Sequence, residues 1–183
     1  MISQPDKTPA LKLDLSEFKP ASVQPPKSNP TADANTLGQG QFNANKAEFV
    51  IPNRVAGLVI GDANYSDVVS LLGTPTLAQN QETAATQQEI LNLYYPVEGI
   101  ELTLDRNRQM KVVRIEVYRP FPGKSQEGLY VGMPFNEARA ILKSRYGQPK
   151  MEFDGFVDWE TPRSSFSIKH ESGQVVAFKM LGR

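Results

Sequence analysis

"GLVIGDANYSDVVSLLGTP" fills residues 57–75, and "GLYVGMPFNEARAILKSRYGQP" fills residues 128–149. Both open on Gly-Leu, carry a second glycine (Gly61, Gly132), run through a short apolar stretch and close on Gly-x-Pro. A chain that repeats its punctuation repeats a structural unit. In the first copy Asn64 suits a helix N-cap, with Asp67 three residues on. Tyr65, Val68, Val69 and Leu72 recur at i, i+3, i+4 and i+7, one face of a helix. Gly73 suits a left-handed C-terminal cap, and Pro75 prevents continuation. In the second copy Pro134 suits the first helical position. Phe135, Ala138, Ile141 and Leu142 form the matching stripe, and Gly147 and Pro149 end it. The second helix is about one turn longer, a turn taking ~3.6 residues.

Three strand-like runs follow each helix. In the first copy they are "EILNLYYP" (89–96), "GIELTLD" (99–105) and "MKVVRIEVY" (110–118). Ile100, Leu102 and Leu104 alternate with Glu101, Thr103 and Asp105, which predicts one buried and one wet face. Val113, Ile115 and Val117 alternate in the same sense. In the second copy the runs are "EFDGFVDWE" (152–160), "SSFSIKH" (164–170) and "QVVAFKML" (174–181). Phe166 and Ile168 mirror Leu102 and Leu104, and Val176, Phe178 and Met180 mirror the third run. "RNRQ" and "ESG" read as hairpin turns, "EFVIPN" (48–53) as an edge strand ended by Pro52, and "RPFPGKSQ" (119–126) as the joint between copies.

The expected fold is therefore α+β: two tandem helix-β-β-β repeats forming a layered antiparallel sheet packed on short helices. A helix with three strands is a thin core alone, and two such units side by side bury more. Residues 47–121 make repeat 1, with its edge strand, and residues 122–183 make repeat 2. Residues 1–46 read as a disordered tether rich in Pro, Asn and Gln. Six of the chain's 14 prolines (Pro5, Pro9, Pro20, Pro25, Pro26 and Pro30) lie there, and few large apolar residues do. Such a segment buries too little surface to offset its ordering entropy. Within it, Leu11, Leu13 and Leu15 alternate with Lys12 and Asp14, either by chance or as a motif that adds to a partner's sheet edge.

The 20 basic and 20 acidic residues cancel. That balance argues against a dedicated nucleic-acid binder, which carries a basic patch or stripe. The absence of cysteine removes disulfides, thiolate metal sites and a catalytic thiol. No apolar run approaches the roughly 20 residues of a membrane helix.

The set "DVVSLLGTP… LYYP… IELTLD… VVRIEV" resembles the small bacterial outer-membrane lipoproteins of the SmpA/OmlA type, one of which is an accessory subunit of the outer-membrane barrel-assembly machinery. In tandem, the unit is similar to the β-lactamase inhibitor protein fold. The resemblance covers roughly residues 56–183, and its motifs are moderately specific as a set. It implies a periplasmic or outer-membrane-associated protein whose work is binding another protein, either an envelope complex subunit or a target enzyme. Departures from the pattern are the missing lipidated cysteine, two repeats where the lipoproteins usually have one, and no disulfide. Contact with a membrane is expected only through a removed N-terminal lipid anchor.

The residues give little support to catalysis. His170 is the single histidine, so no two-histidine metal site exists, and a structural role is the simpler reading. Glu152, Asp154, Asp158 and Glu160 alternate in a strand-like run, which places them on one solvated face; hard cations favour such oxygens, but calcium-loop spacing is missing. No Gly-x-Ser-x-Gly elbow or phosphate loop appears. The expectation is thus a non-enzyme with no cofactor and no metal. Tyr94, Arg114, Tyr118, Phe156, Asp158, Lys169 and Lys179 fall on or near the exposed sheet face as candidate partner-binding residues, since Tyr and Arg are frequent interface anchors. Trp159 belongs either there or, with the register shifted by one, in the core. Tyr130 and Phe121 near the joint form a second candidate anchor. For an enzyme inhibitor, the "DRNRQ" or "HESG" hairpin should project.

Overall fold

Helix α1 (Tyr65–Leu72) begins where the capping pattern puts it. The Asn64 side chain accepts from the backbone N–H groups of Ser66 and Asp67, and the Asp67 carboxylate accepts from the Asn64 N–H at 2.9 Å. This reciprocal arrangement satisfies donors that a helix start otherwise leaves open. The computed structural model describes residues 42–44, 47–83 and 88–182. The tether expected over residues 1–46, with the Leu11–Leu15 alternation, lies outside the described residues apart from 42–44. Helix α2 (Phe135–Tyr146) is four residues longer than α1, one turn. Pro134 occupies the cap position rather than the first helical one, and makes no side-chain cap. Gly73 and Gly147 end the two helices with φ of 82° and 79°, which glycine adopts without steric cost.

Twelve strands accompany these helices among the described residues. Strands β1 (Glu48–Val50), β2 (Arg54–Val55), β3 (Leu58–Val59) and β8 (Lys124–Ser125) form a small sheet in the order β3-β2-β1-β8. A larger sheet takes β4 (Leu77–Thr83), β5 (Gln88–Tyr95), β6 (Ile100–Asp105) and β7 (Lys111–Tyr118) from the first half. From the second it takes β9 (Met151–Phe153), β10 (Phe156–Glu160), β11 (Ser164–Glu171) and β12 (Gln174–Gly182). Its order is β4-β5-β6-β7-β12-β11-β10-β9, two antiparallel meanders joined through their last strands.

This topology corrects the expected α+β arrangement of tandem helix-β-β-β repeats on short helices. The chain is mostly β, with two sheets and only two α-helices among the described residues. Four strands of the large sheet follow each helix, not three. The added strands are β4, whose Leu-Ala-Gln-Asn-Gln-Glu-Thr sequence lacks alternation, and β9, split from β10 by a turn at Asp154–Gly155. Nor is β1 an edge: it lies between β2 and β8, and the "joint" contributes β8.

The alternation expected in the third run of each half is also shifted, and in the same way twice. Leu104 pairs with Val112 and Thr103 with Arg114, leaving Val113 as an extra residue. His170 pairs with Val175 and Lys169 with Ala177, leaving Val176 extra. A bulge of this kind exchanges the faces on either side of it. Val112 and Val175 are consequently buried, while Val113 and Val176 are partly exposed.

One face of the large sheet is apolar. Leu93, Leu102, Ile115, Phe178, Ile168 and Val157 line it, one from each of six strands, and all are buried. Val68 and Leu72 of α1 and Ala138 and Leu142 of α2 join the same core. Phe49 of the small sheet packs on Phe178 at 5.0 Å between ring centroids and edge-on to Phe121 at 6.1 Å. Tyr146 of α2 meets Phe166 edge-on at 4.8 Å and donates its hydroxyl to the Ile51 carbonyl. Burying side chains of this size contributes about 1.5–3 kcal/mol each before entropy is counted.

Candidate functional site

The opposite face of the large sheet carries the polar half of each alternation. One row crosses all eight strands in direct register: Leu77, Tyr94, Glu101, Glu116, Lys179, Ser167, Asp158 and Met151. The neighbouring row on one side includes Thr103, Arg114 and Leu181. On the other side lie Tyr118, Ala177, Lys169, Phe156 and Phe153. Tyr94, Arg114, Tyr118, Phe156, Asp158, Lys169 and Lys179 therefore share one face, and all seven are half-buried.

Residues singled out beside these are placed elsewhere. Trp159 is core: it stacks on Phe166 with centroids 5.5 Å apart and rings nearly parallel, and its indole N–H donates to the Gly147 carbonyl at 3.1 Å. Phe121 is buried against Phe49. Tyr130 remains exposed, with the Lys124 ammonium 5.0 Å from its ring centroid. The four carboxylates of 152–160 do not share a face. The turn at Asp154 breaks the alternation, so Glu152 pairs with Val157 on the reverse face and meets Arg139 of α2, while Asp158 and Glu160 stay on the open face. No group of three or more His, Cys, Asp or Glu able to hold a metal ion occurs among the described residues. His170 stacks on Phe135 at 3.7 Å.

Charge on the open face is organised around Glu101 and Glu116. Arg114 is ion-paired with Glu101 across β6 and β7. Burial raises the Glu101 carboxyl above its ordinary value; Arg114 opposes the shift, Glu116 adds to it and Lys179 opposes it. The Tyr118 phenol is raised as well, first by burial and then by Glu101, Glu116, Glu98 and Tyr94. Beside this cluster, Thr103 donates to the Asn92 amide oxygen at 2.7 Å, and Asn92 donates to Gln81 at 3.3 Å. Asp105, also buried, accepts from Gln88 at 2.9 Å. A depression of about 510 Å³ sits here, walled by Tyr94, Glu101, Asn92, Arg108, Val113 and Leu181 among others. Glu101, Glu116, Asn92 and Thr103 are not among the candidate residues of the sequence reading. The wet positions of "GIELTLD" and "MKVVRIEVY" are the signal that marks three of them.

Several polar groups of this face are tied to one another through hydrogen bonds and ion pairs, and its aromatics stand among charges. Of the two hairpins, "HESG" does not project freely: the Phe135 N–H donates to the Gly173 carbonyl, and Pro134 bridges Gln174. The β6–β7 tip keeps Arg106, Asn107 and Arg108 exposed. No described helix is long and apolar enough to cross a membrane. Comparison with protein-family models, with curated proteins and with solved structures finds no match.

Proposed function

We propose that this chain is a non-enzymatic protein-binding module that presents the open face of its large sheet to a partner protein. The single observation behind this reading is that Tyr94, Arg114, Tyr118, Phe156, Asp158, Lys169 and Lys179 lie on one half-buried face. Aromatic anchors desolvated within a charged rim are the usual source of interface energy. The compartment we assign, the bacterial periplasm or outer-membrane surface, rests on the sequence resemblance to SmpA/OmlA-type lipoproteins. It makes an envelope complex subunit the partner.

The test is affinity capture from an envelope extract with the intact chain and with the Tyr94→Ala/Tyr118→Ala variant. Tyr65→Ala, on the exposed side of α1, serves as control. Loss of two anchors should weaken capture by at least about tenfold, the scale of a hot spot. Equal capture by the folded double variant removes this face from consideration. The inhibitor reading draws on one feature only, the exposed β6–β7 tip, and shortening Arg106–Arg108 would abolish inhibition if it held.

A further inference from the structure

Four strands end sheets among the described residues, and three of them are too short to recruit another chain. Strands β3 and β8 have two residues each and β9 has three, with Lys150 and Glu152 beside or within β9 held in ion pairs to Glu160 and Arg139. Brevity and charge are how proteins protect open edges. Strand β4 is longer and has little charge of its own, although Arg106 of the β6–β7 tip donates to the Asn80 amide oxygen at 3.2 Å. It runs seven residues, pairs only with β5 among the described residues, contains no Pro, Lys or Arg, and carries Glu82 as its one charge. Ala78, Gln79, Asn80, Gln81 and Glu82 are all exposed. Its outer side therefore offers a row of backbone donors and acceptors to an incoming strand.

The sequence of that edge matches itself. We propose that a second copy of this chain docks on β4, the two strands pairing antiparallel about a twofold axis at Asn80. Strand alternation requires that opposed residues lie on the same face, and this register meets the requirement. Gln79 faces Gln81, amide to amide, on the open face. Asn80 faces Asn80, and Ala78 faces Glu82, on the reverse face. The one charge of the edge is never set against its twin, so the pairing brings no like-charge penalty. A twofold contact uses the same patch twice, as most small homodimers do. The two large sheets become continuous, and their open faces extend into one surface. The contact is small and polar, so the dimer dissociates readily and forms at high chain concentration. This inference uses the edge of the sheet, not its face, and stands or falls apart from the binding role proposed above.

The experiment is sedimentation equilibrium of the full chain over a wide concentration range, with Ala78→Lys, Ala78→Glu and Asn80→Lys beside the parent. Ala78 is exposed, so both of its variants fold, which circular dichroism checks. In the twofold register the lysine introduced by Ala78→Lys meets Glu82 of the other copy twice. The glutamate introduced by Ala78→Glu meets it twice with the wrong sign. Ala78→Lys should tighten the dimer and Ala78→Glu should loosen it, each by roughly two- to thirtyfold for two cross-strand charge pairs. Asn80→Lys sets two cations face to face and should loosen it. Raising salt should shrink all three differences. A parent that stays monomeric throughout overturns the proposal, as does a dimer whose strength is the same for Ala78→Lys and Ala78→Glu.

Discussion

Glu101 and Glu116 stand directly opposite one another on neighbouring strands of the open face. Like charges in that relation repel, and the sheet answers with cations on either side: Arg114 is ion-paired with Glu101, and Lys179 is the direct cross-strand partner of Glu116. The four residues form a compact cluster at the seam where the two meanders join, two carboxylates flanked by two cations. Burial still dominates at Glu101, whose carboxyl is raised above its ordinary value of 4.5.

That shift carries a pH dependence with a definite sign. A folded chain that holds the Glu101 proton more tightly than the unfolded chain binds more protons in the window above 4.5. Stability then falls as pH rises through that window, until the folded group has ionised. Glu101→Gln removes this contribution. Urea unfolding of the parent and the variant should therefore show a difference that moves in the variant's favour as pH rises from 4.5 and levels off above the raised value. A difference that is flat with pH, or of opposite slope, contradicts the assignment.

Asn64 supplies a second test. Its side chain accepts from two backbone donors while its own N–H is held by Asp67. Asn64→Ala removes both bonds to the side-chain oxygen and should cost about 1 kcal/mol of stability. Asn64→Asp keeps the acceptor and should cost much less. Since α2 starts at Pro134 with no side-chain cap, Pro134→Ser should stabilise the chain only if the φ and ψ of that position are retained. Urea midpoints of the three variants check all of this.

Trp159 separates packing from hydrogen bonding. Trp159→Phe keeps a ring beside Phe166 but leaves the Gly147 carbonyl without its indole donor. Gly147 is exposed, so water can take the indole's place on that carbonyl and the loss should be no more than about 1 kcal/mol, the net worth of one hydrogen bond. Trp159→Ala removes the ring as well and should cost about 3–5 kcal/mol. Denaturant midpoints at constant slope would measure both. Equal losses for the two variants would mean that the stack with Phe166 contributes nothing.

These sites also mark how much of the structure is legible in the sequence. The capping pair Asn64–Asp67 and the terminators Gly73 and Gly147 are local chemistry, complete within a few residues, and the helices form around them. Strand β4 is not legible because its seven residues carry no apolar alternation; it is held by pairing with β5, a relation remote from its own sequence. The bulges at Val113 and Val176 are hidden for a similar reason: "VV" offers two candidates for one buried position, and the partner strand chooses. The turn between β9 and β10 does have a local signal, since Asp154-Gly155 is a strong hairpin pair, and a single run over 152–160 passes over it. On the open face, alternation suffices for Arg114, Tyr118, Phe156, Asp158, Lys169 and Lys179 to come out together. The opposition of Glu101 to Glu116 needs the register as well, because it belongs to two strands at once.

Two glycines with similar backbone angles test how much of the repeated punctuation is conformational. Gly57 opens the first copied motif with φ of 90°, and a Cβ added there would meet nothing within 4 Å. Gly99 precedes β6 with φ of 70°, but a Cβ there would overlap the Tyr118 carbonyl oxygen and the Phe121 backbone nitrogen. Its own carbonyl accepts from the Tyr118 N–H at 2.9 Å, so the backbone cannot withdraw without losing that bond. Gly57→Ala should cost about 1–2 kcal/mol, the penalty of a left-handed residue with a Cβ. Gly99→Ala adds overlap against two immobile backbone atoms and should exceed about 4 kcal/mol, at the exceptional end for one substitution. Urea midpoints of the two variants measure the gap; if they matched, close approach of the chain at Gly99 would have no part in stability, and the φ alone would account for both glycines.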